Sequence, residues 1–176
     1  MECGCATGVE TRKGATITLL RSELLYDIGN SAYVTGELVG EENEHAHHLV
    51  TDVTQDGNID RVTRMLDLAF ADLEEKLYPY TKGDVEDGAE ADDKMGETEK
   101  YVLSLSLPET FSATTLRLVA KLAHEFLVCR VLNDWLGVTS PENAAVWAER
   151  AESVGERLRT ALTSRSKAFR RKMKPF

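Results

Sequence analysis

The sequence predicts a mainly α protein, a compact helical bundle of about four helices with at most a short β element and a mobile acidic loop. Three observations carry this. Apolar residues recur at steps of three and four over long stretches, as in Val62, Leu66, Ala69 and Leu73, which is the period of one helix face. Strict alternation is confined to KYVLSLSL, the period of a strand. A 20-residue stretch from Thr81, TKGDVEDGAEADDKMGETEK, holds eight acids and few bulky apolar residues, too little burial to offset the entropy of ordering it.

A chain of 176 residues suits one domain with a substantial core. The expected organisation is a flexible N-terminus over 1–14, a single helical domain over 15–163 with the mobile loop at 81–99, and a basic tail over 164–176. ATITLL, residues 15–20, reads as a short strand or as the approach to a helix. Leu20, Leu24, Ile28 and Ala32 recur every four residues, which predicts a helix from about Arg21 to Val34. GELVGEENEHAHH reads as a polar loop. The stripe Val62, Met65, Leu66, Ala69, Leu73 and Leu77 predicts a helix from Asp60 that stops at Pro79.

KYVLSLSL predicts a strand or extended segment before Pro108. Ser112 or Thr114 then caps the central helix, whose apolar face runs from Leu116 to Trp135 and which Gly137 is expected to end. Ser140, Pro141 and Glu142 form a strong helix start: a cap, a proline where no N–H is needed, and an acid in the positive first turn. That last helix reaches about Leu162.

Charge bounds function. The net charge of −9 opposes general affinity for polyanions. No apolar run near the N-terminus resembles a secretory signal, and Arg117, Lys121, His124 and Glu125 interrupt the longest apolar stretch, so no membrane span is expected. Three cysteines fit a reducing compartment better than a disulfide framework; Cys3 and Cys5 read as part of a loose end. A soluble, cytoplasmic protein is expected.

DVTQDGNID, residues 52–60, imitates a calcium loop, with Asp52, Asp56, Asn58 and Asp60 as oxygen donors around Gly57. An EF-hand requires a bidentate glutamate at the twelfth position, and here that position is Thr63. The entering helix would have to be built from HAHHLVT, which is poor material. The expected role is therefore a turn at Asp56-Gly57 and a cap at Asn58 or Asp60 for the helix that follows. His45, His47 and His48 form a second weak metal candidate, and a solvated loop is expected instead. His124-Glu125 lacks the second histidine of a zincin and reads as a satisfied polar group on a helix flank. No local motif of nucleophilic, nucleotide or redox chemistry is present, so no catalytic residue, cofactor or metal is assigned and no enzyme is expected.

Beyond Ser164 the composition reverses. Arg165, Lys167, Arg170, Arg171, Lys172 and Lys174 occur without an acid, leaving the rest of the chain at a net −15. These six are the candidate partner-binding residues. They can meet an acidic protein surface, or bind phosphates as a small DNA-binding or regulatory module, and nucleic acid contact is expected through this tail alone.

The order of segments is informative in itself. ITLLRSELLYDIG, then HLVTDVTQDGNIDRVTRMLDLAFADLEEKLYPYT, then LPETFSATTLRLVAKLAHEFLVCRVLND, then ENAAVWAERAESVGERLRTAL resembles the small helical head-completion or head–tail connector proteins of Mu-like phages and prophages. The matching landmarks are the turn at Asp56-Gly57-Asn58, the Tyr78-Pro79-Tyr80 stretch, and the helices containing Ala120–Leu132 and Ala148–Leu162; together they span about 15–163. The acidic insert and the basic tail are additions to that pattern. The resemblance implies a non-enzymatic virion subunit that forms a homo-oligomeric ring on the portal vertex and binds portal or tail components. Opposite charge on the insert and tail suggests that the two segments of adjacent subunits meet. High salt, or neutralising the cations of 165–174, should then weaken assembly.

Overall fold

The computed structural model describes residues 11–37, 44–78, 80–83 and 98–163. The expected N-terminal arm, most of the acidic insert and the basic tail lie outside the described residues. The chain runs β1 (Arg12–Leu20), α1 (Arg21–Glu37), α2 (Glu44–Thr51), a 3-10 turn (Asp52–Thr54), α3 (Ile59–Lys76), β2 (Lys100–Pro108), α4 (Ala113–Thr139) and α5 (Pro141–Thr163). Mainly helical is correct, but the described part holds five helices and a two-stranded sheet rather than four helices with a trace of β structure.

The sheet is the larger correction. ATITLL is the last six residues of a nine-residue strand, antiparallel to β2, with Arg12 opposite Pro108 and Leu20 opposite Lys100. Leu20 is thus the last strand residue and half exposed rather than the first step of the α1 stripe; Leu24, Ile28 and Ala32 do face the core. On β2, Tyr101, Leu103, Leu105 and Leu107 are buried and alternate with more exposed residues, as a sheet with one face on helices requires. An isolated two-stranded sheet is marginal in water, and this buried face against the helices is what supports it.

α4 is the spine. Val119, Leu122, Phe126, Leu132, Trp135 and Leu136 are among its buried residues, and each large aliphatic side chain removed from water stabilises the fold by about 1.5–3 kcal/mol. Of the two expected caps it is Ser112 that acts, its Oγ accepting from the Thr114 N–H at 3.3 Å. Gly137 does not end the helix. It is exposed, and the helix continues to Thr139, because the buried Leu136 holds this turn to the core and the Thr139 hydroxyl donates to the Trp135 carbonyl at 3.2 Å. Ser140 alone connects α4 to α5. Its N–H donates to Leu136 O at 2.7 Å, and its own carbonyl accepts from the Ala144 N–H at 3.1 Å. The resulting antiparallel α4–α5 hairpin carries the rest of the molecule.

α2 replaces the second half of the polar loop expected at GELVGEENEHAHH. Its local pattern is weak, but Val50 is fully buried, and the Trp135 indole N–H donates to the Leu49 carbonyl at 3.2 Å, fastening α2 to α4. Close approach between α1 and α2 rests on Gly36, where an added Cβ would lie 2.6 Å from Thr51 Cγ2.

Candidate functional site

In the 52–60 stretch the Gln55 carbonyl accepts from the Asn58 N–H at 2.8 Å, placing Asp56 and Gly57 at the centre of a turn. Asn58 occupies the cap position of α3, yet its side chain makes no capping bond. The amide instead donates to the Asp52 carbonyl at 2.8 Å, while the Asp52 carboxylate accepts from Gln55 Nε2 at 2.5 Å. Asp56 and Asp60 are exposed. A helix does precede the loop, contrary to expectation. The twelfth position is turned away from it: Thr63 is 2% exposed, donates to Ile59 O at 2.8 Å and accepts from Arg21 Nη2 at 2.6 Å. The geometry is that of a turn locked to the 3-10 segment, followed by a helix that Val62 and Thr63 bury from its second turn onward.

His45, His47 and His48 belong to α2 rather than to a loop; the His45 side chain lies outside the described residues. His47 Nε2 is 3.4 Å from Glu37 Oε1 at the end of α1, and the His47 and His48 rings meet edge to face with centroids 5.8 Å apart. Among the described residues no group of three or more His, Cys, Asp or Glu side chains converges as metal ligands would. Cys3, Cys5 and all six tail cations, Arg165 to Lys174, lie outside the described residues.

A polar network absent from any sequence motif joins α1, α4 and α5. His124 Nε2 lies 2.8 Å from Asp27 Oδ2. The next residue, Glu125, pairs with Arg150 of α5 and accepts from Cys129 Sγ at 3.8 Å. Burial and the Glu125 carboxylate push the Cys129 thiol up to about 12, so it stays protonated and inert near neutrality. Asp27, His124 and Glu125 border a cleft of about 580 Å³ between the end of β1, α1 and α4, together with Glu23 and Lys121. In a second polar set Arg130 pairs with Asp72 and Asp134, and Lys76 with Glu152; Asp72, Lys76, Arg130 and Glu152 line a groove of about 440 Å³ between α3, α4 and α5. The carboxylate–cation pairs among these are 21–67% exposed at their side chains, so solvent screens them and each contributes modestly.

A third groove is different in kind. It measures about 520 Å³, lies between α1 and α5, and is lined by Asn30, Ser31, Val34, Asn143, Val146 and Trp147, among others. Val34 and Val146 are 61% and 64% exposed. The Arg150 guanidinium stacks 5.4 Å from the Trp147 ring centroid, and Tyr26 and Tyr33 of α1 are also largely exposed. Aromatic and arginine side chains beside open aliphatic surface are the composition of protein-binding hot spots. The sequence holds only a faint signal for it: Trp147 and Arg150 are three apart on one helix face, and which helix would face them is a tertiary fact.

Compared with protein-family models, curated proteins and solved structures, the chain matches none of them. Among the described residues, no helix is long and apolar enough to cross a membrane.

Proposed function

We propose that the chain is a structural subunit of a phage or prophage virion, a head-completion or head–tail connector protein that works by protein–protein assembly with portal or tail components. The observation that carries this reading is the α1–α5 groove. Val34, Val146 and Trp147 offer apolar surface, Asn30, Ser31 and Asn143 offer hydrogen bonds, and the Arg150 guanidinium already lies over Trp147. A preorganised surface of this kind loses little entropy when a partner covers it. Its α5 wall belongs to the α4–α5 hairpin, a support suited to a load-transmitting subunit. The resemblance in segment order points the same way.

The test is co-expression with the products of the adjacent genes, followed by isolation of the assembled particles. Incorporation of the wild-type chain, and its loss in a Val34→Asp, Val146→Asp variant that melts at the same temperature, supports the reading. Full incorporation of that variant, or no association of the wild-type chain with any virion component, overturns it. The alternative, a DNA-binding or regulatory module using Arg165, Lys167, Arg170, Arg171, Lys172 and Lys174, is favoured only by the composition of the tail. Duplex binding that weakens steeply between two salt concentrations would establish it.

A further inference from the structure

The sheet has two outer edges, and they are not equivalent. Thr11 O accepts from the Glu109 N–H, and the Arg21 N–H donates to Glu99 O. Both pairs lie on the register that sets Arg12 opposite Pro108. In an antiparallel ladder the hydrogen-bonded pairs recur at every second residue. Residues 13, 15, 17 and 19 of β1 therefore point their backbone groups at β2, and Arg12, Gly14, Thr16 and Thr18 point theirs outward. On β2 the outward residues are 100, 102, 104 and 106, and there the edge is partly closed, because the Ser106 N–H donates to Tyr80 O at 2.7 Å. Among the described residues nothing closes the β1 edge: no backbone partner meets the outward groups of Gly14, Thr16 or Thr18. All three residues are exposed, and a Cβ added at Gly14 would meet nothing within 4 Å.

An open edge is a template for another strand. We infer that β1 is a self-association edge, pairing antiparallel with β1 of a second copy of this chain across a two-fold axis to make a four-stranded sheet. Three features select this occupant. With β2 partly closed by Tyr80, the free edge of one copy has the free edge of the other as its counterpart, which is the isologous arrangement of a two-fold dimer. A pairing centred on Thr16 sets Thr16 beside Thr16 of the second copy and Gly14 opposite Thr18 of the second copy, so outward groups face outward groups. It also joins two threonines, a favourable cross-strand pair, and sets Arg12 opposite Leu20 of the second copy, so like charges are not opposed. Lys13 is drawn back towards Glu109 of its own chain, 3.6 Å away. This inference goes beyond the virion reading and does not rest on it.

Thr16→Pro tests it directly. Its N–H points away from β2, so proline there deletes an intermolecular donor while leaving the β1–β2 ladder whole, as proline at an edge position does. Ser104→Pro makes the same change on the opposite edge. Light scattering on the full chain should give twice the monomer mass for wild type and Ser104→Pro, and the monomer mass for Thr16→Pro. In the wild-type chain the Gly14, Thr16 and Thr18 amides should exchange with solvent more slowly at high protein concentration than at low, a readout independent of whether the proline variant folds. A wild-type chain that is monomeric at about 100 μM, well above the Kd of about 10 μM of a weak dimer, overturns the inference. So does a dimer in which those three amides exchange at the same rate at every concentration, or which persists in folded Thr16→Pro.

Discussion

Thr63→Val probes the residue on which the calcium imitation and the fold part company. Valine has nearly the shape of threonine, so the 2% exposed site keeps its packing and gains no cavity. What disappears is the acceptor for Arg21 Nη2 at 2.6 Å. Arg21 Nε is already buried without a partner, so the variant leaves two nitrogens of one guanidinium unsatisfied. Hydrogen bonds to charged groups contribute about 1.5–3 kcal/mol. Arg21 keeps partial solvent access, which lets water recover some of this and places the expected loss near 1.5 kcal/mol. Losing the bond to Ile59 O adds little, since such back-bonding in helices is near neutral. For a chain of this size the melting temperature should fall by about 3–6 °C. The decisive comparison is a double-mutant cycle with Arg21→Met, which retains the apolar stem. In that background Thr63→Val should cost less than about 0.5 kcal/mol, because the unsatisfied donor is gone. Equal costs in both backgrounds, in thermal or urea melts, would refute the assignment of Thr63 to Arg21.

Further outcomes follow from the same geometry. Leu132→Ala, at a fully buried site on the spine, should cost about 3 kcal/mol and lower the melting temperature by about 6–12 °C; a loss under 1 kcal/mol in urea melts would contradict the packing described. Tyr101, buried and donating to Asp67 at 2.7 Å, has its phenol raised above 10.0, and Cys129 is raised from 9.0 to about 12. Both groups hold their protons more tightly folded than unfolded, so the unfolded chain ionises first and stability falls as pH rises through 9–10 and beyond. Urea melts at pH 8, 9 and 10 should show that decline, and unchanged midpoints would count against it. Melting with calcium against melting with a chelator should give coincident curves, whereas binding at 100 times Kd would add about 2.7 kcal/mol.

Where local chemistry and tertiary demand agreed, the residues were readable. The α3 stripe of Val62, Leu66, Ala69 and Leu73 is buried because one helix period serves both local geometry and the core. The alternation of Tyr101, Leu103, Leu105 and Leu107 is likewise the β2 burial pattern. β1 was half visible: Arg12 to Ala15 carry little apolar signal, and they are strand because β2, some ninety residues away, supplies their hydrogen bonds. α2 escaped notice because EHAHHLVT holds few apolar anchors, and its place is set by Val50 in the core and by the Trp135 indole on Leu49 O. Gly137 misled because the helix runs on to Thr139, whose hydroxyl donates to the Trp135 carbonyl one turn back, and the chain turns only at Ser140.

The sequence by itself determined the helical class, the α3, α4 and α5 segments, the turn at Asp56-Gly57 and the weakness of the calcium imitation, since each follows from neighbours within a few residues. Tertiary structure alone decided that β1 pairs with β2, that Asp27 meets His124, that Thr63 faces Arg21, and that Val34 and Val146 border one groove. Those are contacts between residues far apart in the chain, and periodicity records which face of an element is apolar without recording what that face will meet.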